Sequence, residues 1–143
     1  MKLIVKLSCI LLLLGQHTVS AAQNNFTQTI QIPSGDVFVP IGKYIEQGDA
    51  EALSAWFDKN LEVSIMSRGG MASKVQATQI MSSFFNTHKP ESFEVSHKAG
   101  RANMKYILAR LKAGGELYSV VLFLNGRRGT YRIQQIKIDR IAY

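Results

Sequence analysis

The sequence predicts an α+β domain in which three N-terminal helices pack on a curved, mostly antiparallel β-sheet. Three observations carry that prediction. Apolar residues recur at helical spacing through residues 37–57 and again through 77–85. From residue 93 onward they lie in strand-length runs separated by glycine-containing turns. The last of those runs changes the phase of its alternation halfway, which a sheet accommodates by bending.

The elements follow in order. Ser34-Gly35-Asp36 supplies oxygens suited to starting a first helix. Val37, Ile41, Tyr44 and Ile45 then share one face, and Pro40 falls near the first turn, where a missing N–H costs little. Gly48 stops this helix. Asp49 caps a shorter one whose apolar face is Leu53, Trp56 and Phe57. Leu61 to Met66 alternates as a half-buried strand, and Arg68-Gly69-Gly70 reads as a turn. Ser73 and Gln76 have the spacing of a capping box for the third helix. Its apolar stripe is Ala77, Ile80, Met81, Phe84 and Phe85; His88 sits near its end and Pro90 closes it.

The remainder reads as strands. Phe93, Val95 and His97 share a face of the first; Met104 to Leu111, Leu117 to Leu124 and Tyr131 to Ile141 follow. Gly114-Gly115 and the stretch from Asn125 to Gly129 are their hairpin turns. In the last strand Tyr131 and Ile133 have odd parity, whereas Ile136 and Ile138 have even parity. An extra residue at Gln134-Gln135 puts all four on one face, so a β-bulge is expected there. The Leu117 to Leu124 strand is apolar on both faces, the pattern of a strand covered on both sides. Helices cover only one face, so the other is expected to pack against a second copy, giving a homodimer through the sheet.

The N-terminus has the three parts of an export signal: Lys2 and Lys6, an apolar run from Leu7 to Leu14, and small residues around Val19-Ser20-Ala21-Ala22. That run is too short to span a bilayer, and no other stretch could. The expected organisation is a signal peptide over residues 1–22, a flexible leader or loose strand over 23–34, and one domain over 35–143. The product is expected to be exported, to the periplasm or beyond. Cys9 lies within the signal, so the mature chain is expected to carry no thiol, disulfide or cysteine metal ligand.

Charge is uneven. Residues 23–88 carry a net −2 and residues 89–143 a net +7. A basic half suits anionic lipid or acidic glycans, or is simply a solvated sheet face. Export makes nucleic acid the least expected partner.

The order helix, helix, strand, helix, then curved antiparallel strands resembles the nuclear transport factor two-like fold, related in shape to the cystatin cone. The residues that carry the resemblance are the Gly48-Asp49-Ala50 break before Leu53, Trp56 and Phe57, the Phe84-Phe85 pair, and the final strand from Tyr131 to Ile138. More narrowly, Lys74 to Phe85, Pro90 to Gly100 and Tyr118 to Ile138 resemble a family of small secreted bacterial proteins with a domain of unknown function. The superfamily implies a bent sheet wrapped around a long helix. It includes isomerases, dehydratases and polyketide cyclases, and also members that only bind ligands or partners. Its enzymes typically place an Asp, or an Asp/His pair, in the cone; no residue here matches that pattern position by position.

Four residues are candidates for lining a pocket. Trp56, Tyr106 and Tyr118 offer aromatic rings with a polar tip, though each is equally suited to a plain core. His97 shares a face with Phe93 and Val95, so it is either a tunable acid or base inside the cone, a hydrogen-bonded core histidine, or a residue shaping the turn before Gly100. A metal site is not expected, because His88 and His97 are the only histidines after the signal and no cysteine accompanies them. No nucleophile elbow and no phosphate loop is present, and no cofactor is expected. The expected function is a non-catalytic module of the envelope or exterior that binds a small apolar ligand or a protein. The alternatives are an isomerase- or cyclase-like enzyme using His97, and adhesion through the basic half.

Overall fold

The computed structural model describes residues 36–142, so the signal peptide and leader expected over residues 1–34 lie outside the described residues. Helix α1 spans Phe38–Gln47 and α2 spans Ala50–Ser54. Two strands follow, β1 Phe57–Ile65 and β2 Arg68–Ser73, and then the long helix α3, Lys74–Thr87. Four more strands complete the domain: β3 Pro90–Arg101, β4 Met104–Ala113, β5 Glu116–Arg127 and β6 Thr130–Arg140. They form one six-stranded sheet in the order β2-β1-β6-β5-β4-β3. Every neighbouring pair is antiparallel except β1 and β6.

Local chemistry sets the helix ends. Gly48 adopts φ 67°, and α1 closes with its N–H donating to the Ile45 carbonyl while the Asp49 N–H donates to Tyr44. This Schellman-type closure needs a left-handed residue, which glycine adopts without strain. The Asp49 carboxylate accepts from the Ala52 N–H and starts α2. At α3 both halves of the capping box form: Ser73 Oγ accepts from the Gln76 N–H, and Gln76 Oε1 accepts from the Ser73 N–H.

The β6 bulge is where the parity placed it. Phe123 pairs with Gln135 and Leu124 with Ile133, leaving Gln134 without a partner on β5. Ile133, Ile136 and Ile138 therefore all face the helices and are buried. Further irregularities fall in β3, around Glu91 and Ser96, and between Phe57 and Glu62 of β1. Bulges add bend and twist, and the sheet wraps α1 and α3 on its inner face. One contiguous cluster fills that space, with Ile41, Leu53, Leu61, Ile107, Leu111, Leu122 and Leu124 fully buried. Each such side chain contributes about 1.5–3 kcal/mol relative to an exposed one.

Two element assignments need correction. Arg68-Gly69-Gly70 is not a turn but the start of β2, paired with Ile65, Ser64 and Val63. The turn lies earlier, at Met66 and Ser67, both with positive φ. Those non-glycine residues are held by β6: the Met66 N–H donates to the Ile138 carbonyl at 2.7 Å and the Ser67 N–H to Asp139 Oδ1 at 3.2 Å. Trp56 and Phe57 also leave α2. Trp56 lies past its C-cap and Phe57 opens β1, because pairing with Ile133 of β6 captures this stretch as strand.

Candidate functional site

The four residues proposed from sequence do not converge. Tyr118 is fully buried on the inner sheet face. Tyr106 pairs with Phe123 on the opposite, outer face and is half-buried. Trp56 packs at the edge of the core, where its carbonyl accepts from the Ile133 N–H. His97 is exposed. The expectation that it shares a face with Phe93 and Val95 fails because Ser96 is an unpaired bulge residue: Val95 pairs with Ala109, but His97 pairs with Leu108. That single extra residue turns His97 to the outer face and Lys98 to the inner one. An enzyme acting through His97 thus loses its enclosed pocket.

A different set of residues does converge. Gln76, Ile80 and Phe84 form one ridge of α3 at four-residue spacing, continued by His88 at the C-cap, and Ile65, Met66, Met71 and Ala72 of the β1–β2 hairpin face it. The result is an apolar groove of about 690 Å³. Its walls leave Met71 73% exposed, Ile80 38% and Met66 37%. Methionine thioethers are soft and adaptable, the side chains proteins use for irregular apolar ligands. A larger depression of about 1160 Å³ lies between α2 and α3, but Gln47, Asp49, Lys74, Gln79, Ser82 and Asn86 make it hydrophilic. The first groove has the apolar lining that ligand sites require.

One end of the groove is aromatic. The His88 ring stacks on Phe84 with centroids 4.7 Å apart and meets the edge of Tyr118 at 5.7 Å. Phe84 and Tyr118 are themselves perpendicular at 5.5 Å. His88 Nδ1 is buried and has no hydrogen-bond partner among the described residues. Beneath this trio the Tyr118 hydroxyl donates to Glu116 Oε2 at 2.8 Å, and the Arg140 guanidinium pairs with the same oxygen at 2.7 Å. Burial raises the Tyr118 pKa above its ordinary value, as does the bond to Glu116, while Arg140 partly opposes both. The phenol therefore stays protonated and acts as a fixed donor. This is a structural clamp between β5 and β6, and no group of three or more His, Cys, Asp or Glu suited to a metal occurs among the described residues.

The sequence signal for the groove was present only in part. Ile80 and Phe84 were legible as a helical stripe, but Met66 and Met71 belong to a hairpin that the Arg-Gly-Gly reading concealed.

Comparison with known families and structures places this architecture. The profile of the domain of unknown function DUF4783 matches residues 38–139, from the start of α1 nearly to the end of β6. The chain belongs to the DUF4783 family. A DUF4783 family protein from Bacteroides uniformis superposes with a TM-score of 0.72 at 24% identity, over 76% of this chain and all of that one. An NTF-2 like protein of unknown function from Silicibacter pomeroyi gives 0.57 at 12% identity, covering 73% and 89% of the two chains. A ketosteroid isomerase-like protein from Erwinia carotovora gives 0.62 at 12% identity, covering 74% and 92%. The DUF4783 domain thus has the nuclear transport factor two-like cone that its element order suggested. No curated protein matches the chain. At these identities the neighbours establish fold alone.

Proposed function

We propose that this DUF4783 protein is a non-catalytic binding module of the cell envelope or exterior that holds a small apolar ligand in the groove between α3 and the β1–β2 hairpin. The observation that carries the reading is the placement of apolar surface. The inside of the cone is occupied by its own side chains, whereas Met66, Met71 and Ile80 stay exposed around a concave floor of Phe84. Exposed methionines grouped about a groove are a recognition feature rather than a packing remnant. The apolar dye Nile red tests this directly. It should brighten on binding, and Met71→Lys or Ile80→Glu should weaken binding at least about tenfold by placing a charge against the ligand. Unchanged affinity in both variants would refute the assignment of the groove.

A second reading concerns the outer sheet face and is compatible with the first. Leu108 pairs with Val121 and Tyr106 with Phe123, and Leu117 extends this half-buried stripe. The helices lie on the other face of the sheet, so a second copy is the proposed cover. Light scattering should give a dimer that Val121→Lys converts to monomer. A monomer at high concentration would remove this reading and leave the groove untouched.

A further inference from the structure

Five of the eleven basic residues of the second half gather at one end of the sheet, together with Lys59 of the first half. The strands run so that the β3–β4 and β5–β6 turns meet at the end of the sheet away from His88 and Arg140, and β1 begins beside them. Register then gathers Lys59, Arg101, Lys105, Arg127, Arg128 and Arg132 at that end. Arg101, Met104, Asn125 and Arg132 form one row across four strands, which places Arg101 and Arg132 about 14 Å apart. None of these six cations has a carboxylate within 4 Å among the described residues, whereas Lys98, Lys112, Lys137 and Arg140 each have one. Two acids feel the cluster: Lys105 helps lower the pKa of Asp36, and Asp58 lies beside Arg127 and Arg132. The Asp58 carboxylate is taken up by Gln134 and the Lys59 N–H, with Arg127 and Arg132 adding to a pKa below the ordinary value.

The end is also braced. The Tyr131 hydroxyl donates to the Ala102 carbonyl at 2.6 Å, and the Gly126 N–H donates to the Asn103 carbonyl at 2.7 Å, tying one hairpin tip to the other. Lys105 lies over the Tyr131 ring at 4.9 Å, and Arg132 Nη1 donates to the Ala55 carbonyl. Arg128 and Gly129 make the β5–β6 turn with positive φ at both positions, so Arg128 occupies the very tip.

We infer that this braced basic end docks on the surface of an anionic phospholipid bilayer. Arg101, Arg127 and Arg128 project from the two hairpin tips, with Lys59, Lys105 and Arg132 on the strands behind them, a geometry that meets a flat surface rather than enclosing a strand. Four of the six are arginines, whose planar guanidinium matches phosphate oxygens in pairs. Met104, 37% exposed in the same row, supplies an apolar contact between Arg101 and Arg132.

Vesicle co-sedimentation of the full chain tests the inference. Phosphatidylcholine vesicles with about 30% phosphatidylglycerol are compared with pure phosphatidylcholine, which reports whatever residues 1–35 contribute irrespective of charge. The anionic vesicles should bind more tightly, and the excess should fade as salt rises from about 0.05 to 0.3 M. Each arginine removed should weaken binding to them about fivefold, so Arg127→Ala with Arg128→Ala should lose about twenty-fivefold. Lys43→Ala with Lys74→Ala removes the same charge from the helices and should lose less than about twofold, because distant charges are screened. Should the double arginine variant misfold, Arg101→Gln on the other hairpin carries the same comparison. Equal loss from the two double variants overturns the inference, as does equal binding to both vesicle types. Tighter binding to soluble heparin than to anionic vesicles also overturns it, in favour of an acidic glycan. Displacement from vesicles by millimolar inorganic phosphate would identify a free-phosphate site instead.

Discussion

Two single-residue deletions in β6 give the sharpest test of how the strand is built. Gln134 is the one residue of the bulge with no partner on β5, and its removal joins Ile133 to Gln135 in unbroken alternation, so Ile133, Ile136 and Ile138 keep their inward face. Lys137 lies in the regular part of the strand, paired with Val121, and its removal forces one side to change face. If the upstream side slips, Ile136, 1% exposed, turns outward and Gln135 turns in. If the downstream side slips, Ile138, also 1% exposed, turns outward and Asp139 turns toward the core. Exposing one buried isoleucine costs about 1.5–3 kcal/mol. Either route also turns a polar side chain inward, so the Lys137 deletion should cost at least about 3 kcal/mol, a large part of the roughly 5–15 kcal/mol that holds a domain together. The Gln134 deletion loses the Gln134 hydrogen bond to Asp58, at 3.1 Å, about 0.5–1.5 kcal/mol, together with some of the bend, and should cost the less of the two. Urea unfolding followed by circular dichroism measures both. A Gln134 deletion as costly as the Lys137 deletion would refute the register argument.

Other perturbations probe the supports of the groove. Gly69→Ala should destabilise the β1–β2 hairpin, since a Cβ there would lie 1.9 Å from the Val63 carbonyl oxygen at φ +146°; strain of about 1–3 kcal/mol or more should appear as a lower thermal midpoint together with weaker dye binding. Ser73→Ala removes one half of the α3 capping box and should cost about 1 kcal/mol in the same melt. Asp36→Asn should flatten the acid limb of stability. Burial pushes the Asp36 pKa up, but the Lys98 ammonium and the Phe38 N–H outweigh it, leaving the folded value below the ordinary 3.8. The contribution is therefore present above that value and lost as pH falls through the lower folded one. Lys98 is half-exposed, so the effect should be modest. Identical unfolding curves for the wild type and the asparagine variant between about pH 2 and 5 would contradict it.

Much of the architecture could be read from residue order because local and tertiary preferences agreed. Asp49, Ser73 and Gln76 cap the helices they were expected to cap, and the bulge in β6 was legible because isoleucines flank it on both sides. The bulge at Ser96 had no such markers. Ser96, His97 and Lys98 are all polar, so no apolar side chain records which face each one takes, and simple alternation places His97 on the wrong side. The β1–β2 turn was hidden for another reason. Met66 and Ser67 are poor turn formers by themselves and depend on hydrogen bonds from β6, more than seventy residues away. Gly69, which together with Gly70 has the look of a turn, instead lets β2 lie close against β1. The groove was lost with the turn, because its two exposed methionines flank that hairpin.

The location of the ligand is best measured by methyl NMR of the methionines during titration with decanol. Met66 and Met71 line the groove, Met81 is buried in the core at 1% exposure, and Met104 lies at the basic end. Saturable shifts at Met66 and Met71, with Met81 and Met104 unmoved, are the predicted result. Shifts led by Met81, with the two groove methionines silent, would place the ligand inside the cone and contradict the account.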